Sequence, residues 1–199
     1  MPSAMAMIAP ETSNWMQQAL TAHNEGRLEF AQGVFHAIRL DGGINVGVSA
    51  QHFAEVERAA ETWNDSLGTV VFRVVRDGDA DLRVRTVSVL DGEDQGEVDT
   101  DLELLGAGHY RLTGDISICD QKGSQPITSK EFTAVVLHEL GHVLGLDDCP
   151  NGNGAMADFD PTHLILHPSE AEVTLVKSIR AEMNALASQQ SIGDPTRSV

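Results

Sequence analysis

The sequence predicts a single α+β domain. Short stretches rich in β-branched residues recur through the first two thirds of the chain, one segment among them has helical periodicity, and two helix-capping boxes follow. With 199 residues, 41% of them hydrophobic, the chain is long enough to bury a sizeable core. We therefore expect one globular unit in which strands and helices pack around a common core.

Composition excludes several classes of partner. The chain carries 30 acidic and 13 basic residues, for a formal charge of -17. This charge repels nucleic acids and anionic membrane surfaces. No run approaches 18 consecutive apolar residues, and the segment Met1–Ile8 lacks the basic start and long apolar stretch of a classical signal peptide. We expect no membrane insertion and a monomeric protein.

The first elements are a helix and two strands. Asn14 is a suitable N-cap for a short helix that ends near Gly26. Residues 34–40 and 44–48 have strand patterns and flank an Asp-Gly-Gly turn, which favours a hairpin or two successive edge strands. Residues 1–30 are predicted to be an N-terminal arm or a propeptide remnant.

A helix and two strands come next. Ser49 is the expected N-cap, apolar residues from Phe53 to Trp63 recur at helical spacing, and Gly68 ends the helix. We expect Trp63 to lie in the core. Residues 70–75 and 80–87 are predicted strands because they are rich in β-branched residues or alternate in polarity.

An acidic segment follows at residues 91–103, where seven carboxylates alternate with glycines and other residues. We interpret it as a loop. It is either a solvated acidic surface or a Ca²⁺ site, since clustered hard oxygen ligands suit calcium. Residues 109–112 and 115–118 are then predicted as two short strands separated by Thr113–Gly114.

Two capping boxes predict the last two helices. Thr128 and Glu131 open a buried helix, and Ser169 and Glu172 open a terminal helix, because each pair can satisfy free backbone amides. A Gly/Asn/Pro-rich loop at residues 149–159 lies between them. The tail at residues 189–199 is expected to fray.

The buried helix carries a metal-binding pattern. His138 and His142 lie four residues apart, so their imidazoles can bind one ion from the same helical face while Glu139 flanks it. Gly145 can end the helix in the left-handed conformation, and Asp148 is the next residue able to complete a set of three ligands. Three protein ligands on Zn²⁺ leave a position for water, whose pKa falls to about 7, and Glu139 would accept its proton.

The pattern His138-Glu139-x-x-His142-x-x-Gly145-x-x-Asp148 (HExxHxxGxxD), followed by Met156, resembles the metzincin clan of zinc endopeptidases. The spacing from Asp148 to Met156 is similar to that of matrixins, in which such a methionine forms the Met-turn beneath the zinc histidines. This resemblance covers roughly residues 40–185. It implies a metzincin-type zincin catalytic domain at residues 31–188, with a twisted, mainly parallel five-stranded sheet, one antiparallel edge strand, an active-site helix and a C-terminal helix.

Asp148 departs from the matrixin pattern, which has a third histidine at this position, and is similar to the snapalysin-like metzincins, which have an aspartate. An anionic ligand cancels one unit of metal charge, so we expect an active zinc site whose bound water is less acidic. If Asp148 were not the ligand, Asp147 or His163 would be the candidate.

The resemblance also implies a substrate and a location. A peptide or protein substrate would add as a strand near Gly106–Tyr110, with Gly108, His109 and Tyr110 as its edge residues. Apolar residues at 159–166 would form the outer wall of a pocket for a hydrophobic residue after the cleaved bond. Members of the clan are typically extracellular or secreted, so the resemblance implies the same location for this protein.

Three functions remain open at this point: a zinc endopeptidase, a catalytically retired metzincin-fold binding protein, and a narrow processing peptidase. Loss of catalytic activity in such proteins is usually accompanied by loss of the glutamate, which this sequence retains as Glu139. Cys119 and Cys149 are too few for a disulfide scaffold. Whether they pair depends on the compartment.

Overall fold

The computed structural model describes residues 21, 24–25, 43–76, 78–90, 95–106, 109–122 and 125–190. The strand predicted at residues 34–40 lies outside them. So does the helix predicted at residues 14–26, apart from Thr21, Asn24 and Glu25. The boundaries proposed for the N-terminal arm and the tail stay predictions.

A five-stranded sheet forms the centre of the molecule, in the order β2-β1-β3-β5-β4. The pairs within β2-β1-β3-β5 are parallel, and β4 pairs antiparallel with β5 at the edge. This arrangement confirms the predicted α+β class with one antiparallel edge strand. The strands are β1 (Ile44–Val48), β2 (Phe72–Arg76), β3 (Leu82–Val87), β4 (Gly96–Gly106) and β5 (His109–Cys119).

Three helices and a small hairpin complete the described part of the chain. The hairpin joins β6 (Gln121–Lys122) to β7 (Gln125–Pro126). The helices are α1 (Phe53–Leu67), α2 (Ser129–Val143) and α3 (Glu170–Gln190). Among the described residues, none of the helices has the length and apolar character needed to cross a membrane.

The sequence suggested that residues 44–48 belong to a hairpin or to an edge strand, and this prediction is wrong. Strand β1 lies between β2 and β3, with Ile44 opposite Phe72 and Val46 opposite Leu82. Four of its five residues are buried, because both faces of a parallel strand inside a sheet are covered. The apolar character of this run, rather than its alternation, was the informative signal.

The acidic segment is not a loop throughout, since residues 96–106 form the edge strand β4. Its exposed carboxylates at Glu97, Asp99 and Asp101 fall on every second residue, while Val98 packs against the core. Alternate residues of a strand point to opposite faces, so a row of acids on one face is compatible with strand structure. The glycines in this segment concealed that alternation.

Strand β5 is likewise continuous, and the predicted break at Gly114 is absent. Gly114 pairs with Thr100, and a Cβ at this position would overlap the carbonyl oxygen of Asp99. The glycine therefore permits a close approach between β4 and β5 instead of forming a turn.

Helix α1 packs on the sheet and on α2. Its N-cap is His52 rather than Ser49, and Gly68 ends it with a φ of 74°. Trp63 is fully buried, as predicted, and its Nε1 donates a hydrogen bond to the carbonyl oxygen of Leu137 at 2.9 Å. This bond ties α1 to the part of α2 that carries the histidines.

Candidate active site

Helix α2 supplies the two histidines and fixes their separation. The helix begins at the predicted capping box, in which Thr128 accepts from the Glu131 amide and Glu131 accepts from the Thr128 amide. His138 and His142 follow one turn apart, and His138 lines a cavity. Their rings meet edge to face, and their Nε2 atoms lie 3.1 Å apart.

The protonation of each ring follows from its other nitrogen. His138 Nδ1 lies 2.9 Å from the carbonyl oxygen of Ala155, and His142 Nδ1 lies 3.0 Å from that of Leu146. A carbonyl oxygen can only accept, so in the neutral rings both Nδ1 atoms carry the proton. Both Nε2 atoms then present lone pairs to the same point, which is the arrangement that a cation requires.

Asp148 completes this group. Gly145 ends α2 with a φ of 95°, and the chain turns so that Asp148 Oδ1 lies 3.1 Å from His138 Nε2 and 3.5 Å from His142 Nε2. Ligands at zinc–nitrogen and zinc–oxygen distances on a tetrahedron are about 3.3 Å apart. The three donor atoms therefore fit a zinc ion in spacing and chemistry.

Electrostatics in the cluster favour a cation. Burial works against protonation of His138, but the hydrogen bond to Asp148 and the charge of Glu139 raise its pKa overall. Burial lowers the pKa of His142. The hydrogen bond from His138 lowers the pKa of Asp148, which keeps that carboxylate ionised.

The structure also places the two alternative ligands. The Asp147 carboxylate accepts a hydrogen bond from the Asp148 amide at 2.9 Å. His163 lines the neighbouring cavity. Within the described residues, the one group of His, Cys, Asp and Glu side chains that could hold a metal is His138, His142 and Asp148. Among the described residues, no second cluster supports the calcium site considered for residues 91–103, of which residues 91–94 lie outside the described part of the chain.

Glu139 lies beside the cluster with only 4% of its surface exposed. Together with His138 and Asp148, it lines a cavity of about 750 Å³. Strand β4 closes over it, because a Cβ on Gly96 would overlap the Glu139 carboxylate and the side chain of Val135. The backbone of β4 at Gly96 is therefore in direct contact with the Glu139 side chain.

Met156, the residue that the resemblance assigns to the Met-turn, packs against helix α2 at Gly141. It is fully buried, and its sulfur lies against Gly141 of α2 so closely that a Cβ on Gly141 would overlap it. The loop that carries Met156 also contacts Glu172, a buried residue at the start of α3.

The cavity continues past the metal cluster between α2 and the loop after Met156. Phe159, Leu164 and Ile165 line it, so the segment predicted to form a pocket wall does border this cavity. Polar side chains such as Lys122 and Asp158 also line it, and Lys122 Nζ lies 5.4 Å from the centre of the Phe159 ring. A volume of this size is typical of ligand-binding clefts.

The predicted substrate edge lies elsewhere in the fold. Gly108 is outside the described residues, while His109 and Tyr110 begin β5, opposite Gly106 and Leu104. The strand end next to Glu139 is instead Gly96, opposite Ile118, about 30 Å further along the hairpin. The structure therefore does not bring residues 109–110 to the metal cluster.

Sequence reasoning missed three residues around the site: Gln95 and Gly96, which line the cavity, and Glu172 behind Met156. The glycines of the acidic segment were a signal for close backbone approach, and Glu172 was recognised only as a helix cap. Cys119 and Cys149, whose pairing was open, are both buried and are not joined by a disulfide.

A mainly parallel sheet with an antiparallel edge, a His-Glu-x-x-His helix and an aspartate that completes a candidate metal site after a glycine turn are the features of a metzincin-like zinc metalloprotease. Residues 45–171, more than half of the chain, match the family model for matrixins, peptidase family M10. The chain therefore belongs to the matrixin family.

Two further comparisons complete the findings. No curated protein matches the chain. Among solved structures, it is similar to high choriolytic enzyme 1 (HCE-1), a hatching enzyme zinc-protease from the medaka fish Oryzias latipes, with 14% sequence identity and a TM-score of 0.38. That match covers 69% of this chain and 88% of the other.

Proposed function

We propose that this protein is a zinc-dependent endopeptidase in which Glu139 is the general base. The observation that carries the proposal is the triangle of donor atoms, with edges of 3.1, 3.1 and 3.5 Å, next to an intact glutamate in one cavity. Two neutral imidazoles and one carboxylate form a suitable donor set for zinc.

His138, His142 and Asp148 would hold the ion through Nε2, Nε2 and Oδ1. Bound zinc supplies Lewis acidity, which acidifies water and polarises a carbonyl group. The protein orients the donors: the carbonyl oxygens of Ala155 and Leu146 fix each histidine tautomer by accepting from Nδ1.

Glu139 would move the proton. Its carboxylate accepts a proton from the attacking water and then donates it to the nitrogen of the leaving amine, so that the residue is regenerated in each turnover. The backbone of Gly96 lies directly against the carboxylate and restricts it, and the low exposure of Glu139 limits the bulk water around it.

The outer edge of β4 would align the substrate. β4 is the last strand of the described sheet, and its first residues lie next to Glu139. An extended peptide can pair with this edge through main-chain hydrogen bonds. We therefore propose the edge at residues 95–98 in place of residues 106–110.

The cavity wall supports a preference for a hydrophobic residue after the cleaved bond. Val135 and Phe159 border the cavity together with Leu164 and Ile165. Burying an apolar side chain against such a wall contributes about 1.5–3 kcal/mol. Cleavage-site profiling of a peptide library tests this, and a preference for charged residues at that position would contradict it.

Glu139→Ala tests the mechanism. We expect cleavage of a generic protein substrate to fall by about 10²–10⁴-fold, because general base catalysis is removed, while the bound zinc measured by metal analysis stays near one ion per chain. Glu61→Ala, on the exposed side of α1, is the control and should retain activity. Unchanged chelator-sensitive cleavage in Glu139→Ala would show that another group is the base.

The same assay separates the alternatives. A retired binding protein would bind zinc without cleaving any substrate, whereas a narrow processing peptidase would cleave a few peptides from the library and no generic protein. Extracellular location and a monomeric state are proposed from the family. Fractionation of the source cells and light scattering test these two proposals.

A further inference from the structure

We infer that Glu172 is a positioning residue for the metal site: its buried carboxylate holds the Ala155–Met156 segment, which in turn supports two of the three proposed ligands. This inference rests on the proposed zinc site. It assigns to Glu172 a role beyond that of a helix cap.

The carboxylate of Glu172 accepts three backbone hydrogen bonds. Ala155 N lies 2.9 Å from Oε2, Met156 N lies 2.9 Å from Oε1, and Ser169 N lies 2.6 Å from Oε2. Only 2% of Glu172 is exposed. Hydrogen bonds to an ionised acceptor are about twice as strong as neutral ones, and a buried carboxylate needs such partners.

The carbonyl group of Ala155 contacts a proposed ligand, and that of Met156 contacts the residue after another. Ala155 O accepts from His138 Nδ1 at 2.9 Å. Met156 O accepts from Cys149 N at 2.7 Å, and Cys149 directly follows Asp148. Glu172 therefore fixes the amide side of a segment whose carbonyl side orients His138 and holds the backbone next to Asp148.

The fit between the loop and Glu172 is tight. A Cβ on Gly154 would overlap the Glu172 carboxylate, so the loop backbone lies directly against it. Helix capping alone needs only the reciprocal bonds between Ser169 and Glu172, which are both present. The two bonds to Ala155 and Met156 are additional, and they connect α3 to the metal site.

Glu172→Gln tests the inference. An amide offers one oxygen where the carboxylate offers two, so its NH₂ group would face a backbone N–H of the loop. We expect zinc affinity, measured by competition with a chromogenic chelator, to fall by about 10–100-fold, which is the usual effect of losing an outer partner of a metal ligand. The measurement is made at a temperature at which circular dichroism shows the variant folded.

Ser169→Ala is the matched control. It removes the hydroxyl that accepts from Glu172 N at 3.2 Å and leaves the bonds to the Met156 loop in place. Ser169→Ala should therefore lower the unfolding temperature while zinc affinity stays within about twofold of the native value. An equal loss of affinity in both variants would overturn the inference, because the effect would then come from α3 stability.

Cobalt substitution provides a second measurement. The visible absorption bands of Co²⁺ report ligand geometry, so they should shift in Glu172→Gln and stay unchanged in Ser169→Ala. Should Glu172→Gln not fold, Glu172→Asp keeps both oxygens but retracts them by one methylene, and it should give an intermediate affinity. Native affinity and a native cobalt spectrum in the folded variant would overturn the positioning role.

These measurements do not depend on peptidase activity. Activity that persists in Glu139→Ala would contradict the proposed catalytic mechanism and leave the zinc-affinity comparison intact. Equal zinc affinity in the native protein and Glu172→Gln would overturn the positioning role alone. The two failures are therefore distinguishable.

Discussion

Asp148, the proposed third ligand, would set the charge of the metal site. With two neutral imidazoles and one carboxylate, the ligands cancel one of the two charges of a zinc ion, whereas three imidazoles cancel none. The side chain is also the most exposed of the three, at 61% against 21% for His138 and 20% for His142. The carboxylate of Asp148 is therefore less enclosed by its surroundings than the two imidazoles.

Replacing Asp148 should disrupt metal binding. Asp148→Ala removes a proposed direct ligand. Losing a residue that only hydrogen-bonds a ligand lowers metal affinity by about 10–100-fold. We therefore expect a larger loss of zinc affinity here, and activity should fall with it. Chelator competition and metal analysis measure this. Asp158→Ala, which removes another carboxylate lining the cavity, is the control. Intact zinc binding in Asp148→Ala together with loss in Asp147→Ala would move the ligand to Asp147.

Gly96 is a second residue at which a small change has a specific consequence. In Gly96→Ala the added methyl group would overlap the Glu139 carboxylate and Val135. Displacement of a catalytic group by about 1 Å can cost about 100-fold in rate, so we expect kcat/KM to fall by that order with zinc content unchanged.

The control for Gly96→Ala is Gly78→Ala, where the new methyl group would meet only the carbonyl oxygen of Arg76 at 3.3 Å, away from the cavity. This variant should keep its activity. If Gly96→Ala kept the native kcat/KM, the contact between β4 and Glu139 would not be needed to position the carboxylate.

At the scale of elements, α2 is the part of the fold on which the site depends. Ten of its fifteen residues are buried, and it is fixed at several points along its length. The capping box holds its first turn, Trp63 binds the carbonyl of Leu137 in the middle, and Met156 fills the space against Gly141. Fixation at these points limits how far His138 and His142 can move relative to each other.

The capping box should make stability depend on pH. Hydrogen bonds from Thr128 lower the pKa of Glu131 below its ordinary value of 4.5. Because the folded-state pKa is depressed, the stabilisation is complete above about 4.5 and is lost as pH falls through the folded pKa. We expect urea unfolding to show Glu131→Gln less stable than the native protein at neutral pH, with the difference shrinking below about pH 4.5.

The partner residue provides the control for this prediction. Thr128→Ala should cost about 1 kcal/mol at neutral pH through loss of the cap, whereas Thr128→Ser keeps a hydroxyl and should retain both stability and pH dependence. A difference between Glu131→Gln and the native protein that stays constant down to low pH would contradict the assignment.

At the scale of the whole molecule, the site joins segments that are distant in sequence. Strand β4 covers Glu139, α2 carries two proposed ligands, the loop after α2 carries the third, and Glu172 of α3 accepts hydrogen bonds from that loop. A bound ion connects these segments in the folded state only, so metal binding and folding are linked.

Metal removal should therefore lower global stability. A ligand that binds only the folded state adds about 2.7 kcal/mol at a free concentration 100 times its Kd. We expect the urea midpoint to rise as free zinc increases and to fall on chelation, whereas the midpoint of His142→Ala should respond weakly. A native midpoint that is independent of zinc would contradict the linkage.

Much of the site could be predicted from the sequence because its chemistry is encoded locally. The four-residue spacing of His138 and His142, the left-handed glycine at Gly145 and the capping boxes all act within a few residues. The strand-rich first part of the chain and the family pattern also determined the fold class. The placement of strand edges was harder, and the structure does not bring the substrate edge predicted near residues 106–110 to the candidate site.

Only the tertiary structure decided which backbone groups meet across the fold. Whether β1 is central or at an edge, whether the acidic segment pairs as β4, and which end of β4 reaches Glu139 depend on partners dozens of residues away. The link from Glu172 to the Met156 loop is equally non-local. Local sequence determines the torsion angles and periodicity of a segment, whereas burial and pairing are settled by long-range contacts that no single segment contains.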